Sequence, residues 1–592
     1  CWWIHILLGG FRWSDMRTPQ LKPIRRKIQV HRIGAFDVEG DANRFVIGIA
    51  LDPDGRWHIA RSPDELVRIL ISFPGTVWFA HNAIYDVGVL LDHLRMFEIR
   101  VFRGKLLEAL YPPQKPRVRI WDSLWFFPMS LQEVGRVVGL NKMEAPWETD
   151  DGLIDWDRVL EEEGLERVIE YCKRDVEIVW RAMRLFQQTI NELGGELKKT
   201  LAATAMNLFR RAFLKETYRT PSPKINDLCR EAYYGGRTEA LVQGEVRNVY
   251  FYDVNSMYPF VMRETLFPDP NHLIGPLRPG SIDNIWRYEG VSRVEIDVPF
   301  SMIPPLPYRK DGKTIFPVGR LEGTWTHIEL REALRSGARI RRIEWQIIST
   351  RTCSPFKEFV ETLYALRKQY KSQNDPREYV VKIMMNSLYG KFGESMEKRD
   401  LKALRFEDTM DFSKPEPRGT ELLRDEPPLL WAVPVETRRQ SEHMITIWAA
   451  YITAAARVHL RRLALAAGEV YYMDTDSIVT PNSLPTGDGL GELKLEKTAE
   501  VMIIKAPKLY VAYANGQVVK QASRGIPRRL AETFIRLGEV TFAHPVKILE
   551  AFRRGLRPSQ WIHTTKQQQA SAPKRIVHRL SETLALLLPI RL

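Results

Sequence analysis

Two aspartates stand two residues apart in VYYMDTDSIV (470–479), between two runs of β-forming residues. The pattern predicts a strand, a tight turn and a second strand, with Asp474 and Asp476 flanking the turn. Two carboxylates held on one turn repel each other unless a cation neutralises them. Taken alone, the segment also fits a solvated hairpin turn.

A second acidic segment is YFYDVNSMYP (250–259). A strand rich in aromatic residues delivers Asp253 at its end, and Tyr258 and Pro259 then turn the chain. Magnesium prefers oxygen ligands, needs few carboxylates and leaves room for substrate phosphates. Phosphoryl transfer between nucleotides uses two such ions, about 3.5–4 Å apart. The aspartates of both segments are therefore candidates for a two-metal site.

A basic and aromatic face is predicted in KIMMNSLYGKFG (382–393). Lys382, Asn386 and Tyr389 lie at i, i+4 and i+7, so a helix would place them on one side. A cation, an amide and an aromatic ring suit a triphosphate and a stacked base. Arg367 and Lys371, on the preceding predicted helix, can face the same phosphates. A solvated basic helix is the alternative.

The first third of the chain contains another acidic set. In AFDVEG (35–40), Asp37 and Glu39 share one face of a strand, because alternate residues point the same way. Further candidates follow in HNAIYD (81–86) and YCKRD (171–175): Asn82, Tyr85, Asp86, Tyr171 and Asp175. Four carboxylates can hold two metals that activate a water against a phosphodiester, and Tyr171 is placed to orient that water.

Charge and cysteine usage narrow the function class. The net charge is +14 and the pI is near 9.4, which favours a polyanionic partner, although a soluble protein can also simply be basic. None of the four cysteines forms a CxxC pair, which indicates neither a zinc ribbon nor a disulfide framework. No apolar run approaches a membrane span and no secretion signal is recognisable, so the expected location is cytoplasmic, without a membrane partner.

Periodicity gives a coarse secondary structure. Strands over 32–60 and 77–82 and helices over 153–190 predict an α/β first lobe. A helical connector is expected over 191–200, and the last sixty residues are expected to be mostly helical. Further predictions are two helices over 355–395 divided near 374–376, a charged insertion over 396–440 with little apolar periodicity, and an amphipathic helix over 441–467.

In these motifs the chain resembles family B DNA polymerases. SMYP after Asp253, the K-x3-N-S-x-Y-G pattern from Lys382, and Y-x-D-T-D-S from Tyr472 are similar to the family's three polymerase motifs. The acidic sets of the first lobe are similar to its three exonuclease motifs, in the family's order. The resemblance covers about residues 30–530. It implies a multidomain α/β and α+β protein: an RNase H-like 3′-5′ exonuclease domain, then a right-hand polymerase with palm, fingers, thumb and two insertions.

Finer features resemble the protein-primed branch of that family, found in small bacteriophages, viruses and linear plasmids. Tyr233-Tyr234-Gly235-Gly236 is similar to the branch's linker motif, which is implied to balance synthesis against proofreading. Ser123, Leu124 and Lys142 match its additional exonuclease motifs, which contact the single strand and the scissile phosphate. Lys508-Leu509-Tyr510 matches its primer-gripping motif.

The resemblance also implies domain boundaries. The expected divisions are an N-terminal extension (1–29, with Met16 as a candidate start), the exonuclease domain (30–190), the first part of the palm (191–262), an insertion that contacts a priming protein (263–350), the fingers (351–395), a second insertion for processivity (396–440), the second part of the palm (441–535), and a thumb without a recognisable motif (536–592).

The implied roles fall into three groups. Metal ligands for synthesis are Asp253 and Asp476, with Asp474 acting through water or by polarising the site, and the exonuclease metals are held by Asp37, Glu39, Asp86 and Asp175, with Tyr171 and Lys142 as further catalytic groups. Nucleotide-binding residues are Tyr258 (stacked under the sugar, excluding a 2′-hydroxyl), Arg367, Lys371, Lys382, Asn386 and Tyr389. DNA-binding residues are Asn82, Tyr85, Ser123, Leu124, Tyr233, Gly235, Gly236, Lys508 and Tyr510.

The implied activity is DNA-directed DNA synthesis with 3′-5′ proofreading, in the replication of viral, phage or plasmid DNA. The implied cofactors are Mg²⁺ or Mn²⁺, two per active site. The implied partners of a monomeric enzyme are template and primer DNA, deoxynucleoside triphosphates and a terminal priming protein. An ordinary nucleic-acid primer and unprimed initiation are alternatives for the start of synthesis. A nuclease with an inactive polymerase half, a reverse transcriptase and a DNA-binding scaffold are alternatives from other classes.

Overall fold

The computed structural model describes residues 19–40, 44–111, 116–145, 147, 154–395, 400–407, 418–426, 428–435, 440–568, 574–581 and 584–592. Of the predicted N-terminal extension, residues 1–18 lie outside this part. The strands of residues 19–200 are β1 (Gln20–Leu21), β2 (Arg32–Gly40), β3 (Phe45–Leu51), β4 (Trp57–Ala60), β5 (Thr76–Ala80), β6 (Glu98–Phe102), β7 (Lys105–Tyr111) and β8 (Val118–Asp122), and the helices are α1 (Pro63–Ile71), α2 (Ile84–Val89), α3 (Leu131–Val137), α4 (Trp156–Glu162) and α5 (Leu165–Glu192).

Residues 201–353 form the middle of the chain. Their helices are α6 (Leu201–Leu208), α7 (Pro223–Glu231), α8 (Met257–Glu264), α9 (Ile282–Arg287) and α10 (His327–Arg335), and their strands are β9 (Tyr218–Arg219), β10 (Thr238–Ala240), β11 (Val242–Val254), β12 (Phe267–Pro268), β13 (Leu273–Leu277), β14 (Glu289–Val298), β15 (Tyr308–Lys310), β16 (Lys313–Ile315), β17 (Gly319–Thr326), β18 (Arg339–Ser349) and β19 (Thr352–Cys353).

The remaining elements follow the same order. The helices are α11 (Lys357–Ser372), α12 (Arg377–Ser387), α13 (Thr446–Ala466), α14 (Ala531–Leu537) and α15 (Ile548–Arg553), and the strands are β20 (Leu401–Glu407), β21 (Glu421–Arg424), β22 (Leu429–Pro434), β23 (Tyr472–Asp474), β24 (Ser477–Thr480), β25 (Leu493–Ala506), β26 (Leu509–Ala514), β27 (Gln517–Ala522), β28 (Glu539–Pro545), β29 (Trp561–Gln567), β30 (Arg575–Arg579) and β31 (Leu584–Pro589).

The first lobe is built on a ten-stranded sheet in the order β21-β22-β20-β6-β7-β8-β5-β2-β3-β4. Strands β2, β5 and β8 are parallel neighbours. Their carboxyl ends therefore meet at one edge of the sheet, where β2 brings Asp37 and Glu39, β5 leads into α2 with Asp86, and β8 ends at Asp122. Helix α5 covers this sheet and packs against β2 and β3. The α/β lobe predicted from the sequence is confirmed.

Three strands of this sheet come from the segment predicted as the second insertion. Strand β20 pairs with β6, with Leu401 opposite Phe102, and the hairpin β20–β22 thereby extends the first lobe's sheet. Helix α15 packs on β21, where Arg553 makes two hydrogen bonds to Glu421. The low apolar periodicity of the sequence concealed these strands. Residues 396–399, 408–417, 427 and 436–439 of this segment lie outside the described part.

A second sheet of nine strands forms the centre of the other lobe. Its order is β10-β23-β24-β11-β25-β26-β27, and β31 adds to β11 while pairing with β30. Strand β11 is thus opposite both the hairpin β23–β24 and the C-terminal strand, with Val242 facing Leu586. Within the predicted first insertion, β13, β18, β14 and β17 form a separate four-stranded sheet, against which α10 packs.

The helices α11 and α12 confirm the division predicted near residues 374–376. Lys382 and Asn386 lie on α12, but the helix ends at Ser387 and Tyr389 begins a 3₁₀ turn, Tyr389–Lys391. The expectation that all three share one α-helical face is therefore wrong for Tyr389. The tighter turn changes the direction in which that residue points.

Two other sequence expectations require correction. The segment 191–200 is not a helical connector, because α5 ends at Glu192 and α6 begins at Leu201. The last sixty residues are not mostly helical, since their described part contains four strands and only the short helices α14 and α15. Gln20–Leu21, within the expected extension, pairs with β9, and Leu21 is fully buried. Among the described residues, no helix combines the length and apolarity needed to cross a membrane.

Candidate active sites

The central sheet brings Asp253 and Asp476 side by side. Asp253 is the last residue but one of β11 and lies opposite Ser477 of β24, and the Val254 N–H donates to the Asp476 carbonyl oxygen at 2.8 Å. Burial, followed by the carboxylates of Asp476 and Glu496, raises the pKa of Asp253 to about 7. Burial and the nearby Asp474 raise the pKa of Asp476 to about 6. A bound cation relieves such repulsion between neighbouring carboxylates.

The turn between β23 and β24 is conformationally constrained. Thr475 has φ +60°, in the left-handed region that a β-branched residue rarely adopts. Its N–H donates to the Arg237 carbonyl oxygen at 2.7 Å. A Cβ added to Gly236 would lie 2.9 Å from the Thr475 side chain, so this glycine allows the close approach. The surrounding chain therefore holds a strained turn in place.

Asp474 has different partners from its two neighbours. The Lys508 ammonium lies 2.8 Å from each oxygen of its carboxylate, and the Thr238 hydroxyl donates to it at 2.9 Å. The Lys508 N–H also donates to the Tyr472 hydroxyl at 2.9 Å. Asp474 is consequently tied to the protein, which fits the expectation that it supports the metal site rather than acting as a primary ligand.

Glu496 is an acidic neighbour that sequence reasoning missed. It lies on β25, raises the pKa of both Asp253 and Asp476, and forms an ion pair with Lys520. Strand β25 is paired with β11 beside Asp253. The sequence feature that could have revealed Glu496 is a carboxylate on the strand that follows the acidic hairpin. The pairing of β25 with β11, however, cannot be predicted from local patterns.

The predicted nucleotide-binding residues lie on α8, α11, α12 and the 3₁₀ turn after α12. The rings of Tyr258 and Tyr389 are stacked, with centroids 4.4 Å apart. Arg367 donates to Glu378 at 2.7 Å and to the Ser256 hydroxyl at 2.9 Å, so its guanidinium ties α12 to the start of α8. The other members of the group are Lys371 and Lys382, which are exposed, and Asn386, which is half-buried; Lys382 lowers the pKa of Asp253.

Two predicted DNA-binding motifs also lie at this site. Tyr233–Gly236 runs from α7 to β10, and the buried Arg457 donates to the carbonyl oxygens of Tyr234 and Gly235. Tyr233 is close to Gly393 beyond α12, where an added Cβ would contact its ring. Tyr510 is buried and packs edge-on against Tyr472, with centroids 5.3 Å apart.

The second acidic cluster lies at the carboxyl edge of the first sheet. Ligand atoms of Asp37, Glu39 and Cys172 lie within 4.8 Å of one another. Asp86 is buried and accepts a hydrogen bond from the Val38 N–H at 3.1 Å. Burial, reinforced by the Asp37 carboxylate, raises the pKa of Asp86 well above its usual range. The structure thus joins three of the four predicted carboxylates around β2.

The fourth carboxylate, Asp175, belongs to a group at the edge of this cluster. The Lys142 ammonium lies 3.4 Å from Asp175 Oδ2, is hydrogen-bonded to the Tyr171 hydroxyl, and sits 4.7 Å from the centre of that ring. The positive charge of Lys142 also lowers the pKa of Asp37, although burial raises it overall. Lys142 therefore links Tyr171 and Asp175 to the site that contains Asp37.

Asp122 was missed by sequence reasoning. Its Oδ1 accepts hydrogen bonds from the N–H groups of Asn82 and Leu124, at 3.0 and 2.9 Å. It therefore fixes two of the predicted single-strand contacts, and burial raises its pKa to about 6. Ser123 contacts His81 at 2.9 Å, and the Tyr85 hydroxyl donates to the Gly40 carbonyl oxygen at 2.7 Å. In the WDSL segment (121–124), the sequence motif pointed to Ser123 and Leu124 but not to Asp122.

The donor atoms of both clusters fit hard divalent cations. Asp253 and Asp476, like Asp37, Glu39 and Asp86, offer carboxylate oxygens, which Mg²⁺ and Mn²⁺ prefer. Cys172 does not join this set: burial and the nearby carboxylates raise the pKa of its thiol well above the usual range, and its sulfur donates to Asp37 at 3.6 Å. A protonated thiol is a poor metal ligand.

Comparison with known proteins gives a consistent result. A family profile described as "DNA polymerase type B, organellar and viral" matches residues 145–417. A probable DNA polymerase of Neurospora intermedia is 28% identical over 517 residues, covering 75% of this chain and 52% of that protein. The DNA-directed DNA polymerase of Enterobacteria phage PRD1 is 27% identical over 526 residues, covering 85% and 87%. The chain spans about half the length of the Neurospora relative.

Among solved structures, Phi29 DNA polymerase complexed with primer-template DNA and incoming nucleotide has a TM-score of 0.67 and 16% identity, covering 91% of this chain and 99% of that one. This likeness establishes the fold. The predicted multidomain α/β and α+β fold, with the arrangement of an exonuclease-type lobe followed by palm, fingers and thumb, is confirmed. The residue boundaries of the domains remain predictions.

Proposed function

We propose that this chain, which resembles the type B DNA polymerases of organelles and viruses in sequence and fold, is a DNA-directed DNA polymerase that replicates phage, viral or plasmid DNA. The observation that carries the proposal is the adjacency of Asp253 on β11 and Asp476 in the turn between β23 and β24, where burial and neighbouring carboxylates raise both pKa values. The fold alone would not assign an activity, because function resides in the site.

In the proposed mechanism Asp253 and Asp476 hold the divalent ions. Such ions, Mg²⁺ or Mn²⁺ and two per site, supply activation of the primer hydroxyl and stabilisation of the leaving pyrophosphate when bound. Lys508 keeps Asp474 oriented by two 2.8 Å contacts. This leaves Asp474 to support the site rather than to compete for a metal.

The residues around Asp253 are proposed to bind the nucleotide. The exposed ammonium groups of Lys371 and Lys382 would attract the triphosphate. Tyr258, supported by the stacked ring of Tyr389, would lie under the sugar and exclude a 2′-hydroxyl. Arg367 would hold Ser256 and Glu378 in register, and reach phosphate only by exchanging one of these partners.

A second activity is proposed for the first lobe: 3′-5′ exonucleolytic removal of mismatched primer ends. The supporting observation is the convergence of Asp37, Glu39 and Asp86, with Lys142 bridging to Asp175. Lys142 would neutralise charge near the scissile phosphate and orient the Tyr171 hydroxyl toward the attacking water. Asp122 would fix the backbone of the strand-binding residues Asn82 and Leu124.

The start of synthesis is proposed to use a protein primer, in a monomeric enzyme whose other partners are template DNA and deoxynucleoside triphosphates. The first insertion has its own sheet and core, and its backbone at Pro304 contacts Arg237 next to the acidic turn. A priming protein docked there would be close to Asp253 and Asp476. The alternatives are an ordinary nucleic-acid primer and unprimed initiation.

Two assays test these proposals. Purified protein should extend a DNA primer on a DNA template with Mg²⁺ and fail on an RNA template, whereas a reverse transcriptase would use both and a DNA-binding scaffold neither. For priming, a candidate protein should become covalently labelled by a radioactive deoxynucleotide only with this enzyme and a linear template end. Efficient oligonucleotide extension without labelled protein would remove the priming proposal and leave the polymerase.

A further inference from the structure

The acidic turn of the central sheet is held from outside by the segment Gly236–Thr238. Thr475 at the tip has φ +60°, its N–H donates to the Arg237 carbonyl oxygen at 2.7 Å, and its side chain packs on Gly236. The Thr238 hydroxyl also donates to Asp474 at 2.9 Å. A strained turn persists only if its surroundings determine it, so the position of this segment sets the position of the turn.

The side chain of Arg237 anchors that segment. It is 1% exposed, donates to Glu239 at 2.7 Å and to the Pro304 carbonyl oxygen at 2.8 Å, and its guanidinium lies 3.9 Å from the centre of the Phe316 ring. Pro304 and Phe316 belong to the predicted first insertion. The backbone of Arg237 contacts the acidic turn and its side chain contacts the first insertion, so this residue connects the two.

Glu239 connects the same anchor to the C-terminal hairpin β30–β31. Arg575 of β30 is 2% exposed and donates to Glu239 at 2.9 Å, and it also donates to the carbonyl oxygens of Leu587 and Met302, at 2.9 and 2.8 Å. Two guanidinium groups hold the pKa of Glu239 below its usual range although burial opposes this. A buried carboxylate shared by two arginines fixes all three side chains.

The hairpin itself is firmly placed. Strand β31 pairs with β11, the strand that carries Asp253, and the Leu587 N–H donates to the Leu241 carbonyl oxygen at 2.8 Å. Lys574, just before β30, donates to the Thr238 carbonyl oxygen at 3.2 Å. The hairpin thus contacts the segment Gly236–Thr238 directly through Lys574, and through Arg575 by way of Glu239.

We propose that Arg575, Glu239 and Arg237 form a buried ionic triad that positions the turn carrying Asp474 and Asp476, so that the C-terminal hairpin is a working part of the polymerase site. The inference rests on the proposed function of that site. None of the three residues is expected to touch substrate, so they are positioning residues. Arg237 of the triad also donates to the Pro304 carbonyl oxygen of the first insertion. A partner bound to that insertion would therefore also affect the position of the turn.

The test compares Arg575→Met with Arg579→Met, which changes an exposed arginine of the same strand. Arg575→Lys keeps the charge, and the double variant Glu239→Gln/Arg575→Met keeps the net charge of the triad. Each is assayed for kcat and KM in primer extension, for 3′-5′ digestion of a single strand, for thermal melting, and for hydrogen exchange of the Thr475 amide by mass spectrometry.

The proposal expects Arg575→Met to lower kcat by about 10–100-fold, the usual effect of losing a group that orients a metal ligand. KM for nucleotide and digestion in the first lobe should stay within about twofold of wild type. The Thr475 amide should exchange faster, Arg575→Lys should recover part of kcat, and Arg579→Met should match wild type.

The proposal is overturned if Thr475 exchange and kcat match wild type in Arg575→Met. It is also overturned if melting, digestion and extension fall together, since that marks a merely structural role. If Glu239→Gln/Arg575→Met melts at the wild-type temperature and also keeps the wild-type kcat, the triad does not position the turn. Hydrogen exchange at Thr475 decides the inference even if the wild-type protein does not extend primers, an outcome that would refute the proposed function instead.

Discussion

Lys508 and Asp474 form an ion pair in which the ammonium lies 2.8 Å from both oxygens of the carboxylate. The pair gives Asp474 a cationic partner, whereas burial and nearby carboxylates raise the pKa values of Asp253 and Asp476, the two aspartates proposed to bind cations. Three aspartates that are equivalent in the sequence pattern therefore have two different environments. The distinction predicts unequal effects when each is changed.

Asp474→Asn should lower primer extension by about 10–100-fold, because it removes a group that orients the site but does not hold the metal. Lys508→Met should have a similar effect, since it frees Asp474 to compete for the cation. Single-turnover extension at several Mn²⁺ concentrations measures both. Complete loss of activity in Asp474→Asn, equal to that in Asp476→Asn, would contradict the assignment of Asp474 as a supporting residue.

Tyr258→Val should raise the ratio of ribonucleotide to deoxyribonucleotide incorporation, because removing the ring opens space for a 2′-hydroxyl. Tyr389→Ala should raise the same ratio by a smaller factor, since the Tyr258 ring is stacked on Tyr389 at 4.4 Å and loses its support. Competing the two nucleotides in a primer-extension assay measures the ratio. An unchanged ratio in both variants would place the steric gate elsewhere.

Asp86→Asn and Asp37→Asn should stop digestion of a single strand while primer extension continues, because these carboxylates lie in the sheet of the first lobe. Lys142→Met should reduce digestion less, since its contacts are with Tyr171 and Asp175. Extension from a mismatched primer end should rise in all three. Undiminished digestion by the Asp37→Asn/Asp86→Asn double variant would refute the exonuclease site.

Arg457→Met should destabilise the polymerase lobe by about 3–5 kcal/mol, because it leaves a buried carboxylate without its partner. Arg457 is 2% exposed and donates to Glu329, which is fully buried, at 2.7 Å. The double variant Arg457→Met/Glu329→Gln should be closer to wild type, since no buried charge is left unpaired. Urea unfolding followed by a probe in this lobe compares the two, and equal destabilisation would contradict the argument.

The sequence was sufficient to single out the acidic residues that the fold brings together, and insufficient for the residues that support them. Asp253, Asp476 and Asp37 could be predicted because carboxylates at strand ends and turns form short local patterns. Glu239 and Arg575 lie 336 residues apart, and no local pattern relates them. Asp122 was overlooked because its carboxylate joins the Leu124 N–H, two residues along the chain, to the Asn82 N–H of another segment. Long-range pairing of strands decides such contacts, whereas periodicity reports only the neighbouring few residues.

The C-terminal region shows the same limit in secondary structure. The region was expected to be mostly helical, but β31 pairs with β11 and Leu587 is buried in the central sheet. Strand formation there depends on an available edge of a distant strand rather than on intrinsic preference. Tyr389 illustrates the opposite case, in which a helical pattern continues past the point where the helix ends at Ser387.

The most direct test of the account is primer extension by Asp253→Asn and Asp476→Asn, with digestion of a single strand measured on the same protein samples. Each variant should lose extension by at least about 1,000-fold, because several kcal/mol of charge stabilisation is removed with the metal. Digestion should stay at the wild-type rate and serve as the internal control for folding. Wild-type extension by both variants, with digestion intact, would contradict the central claim that these two aspartates form the site of DNA synthesis.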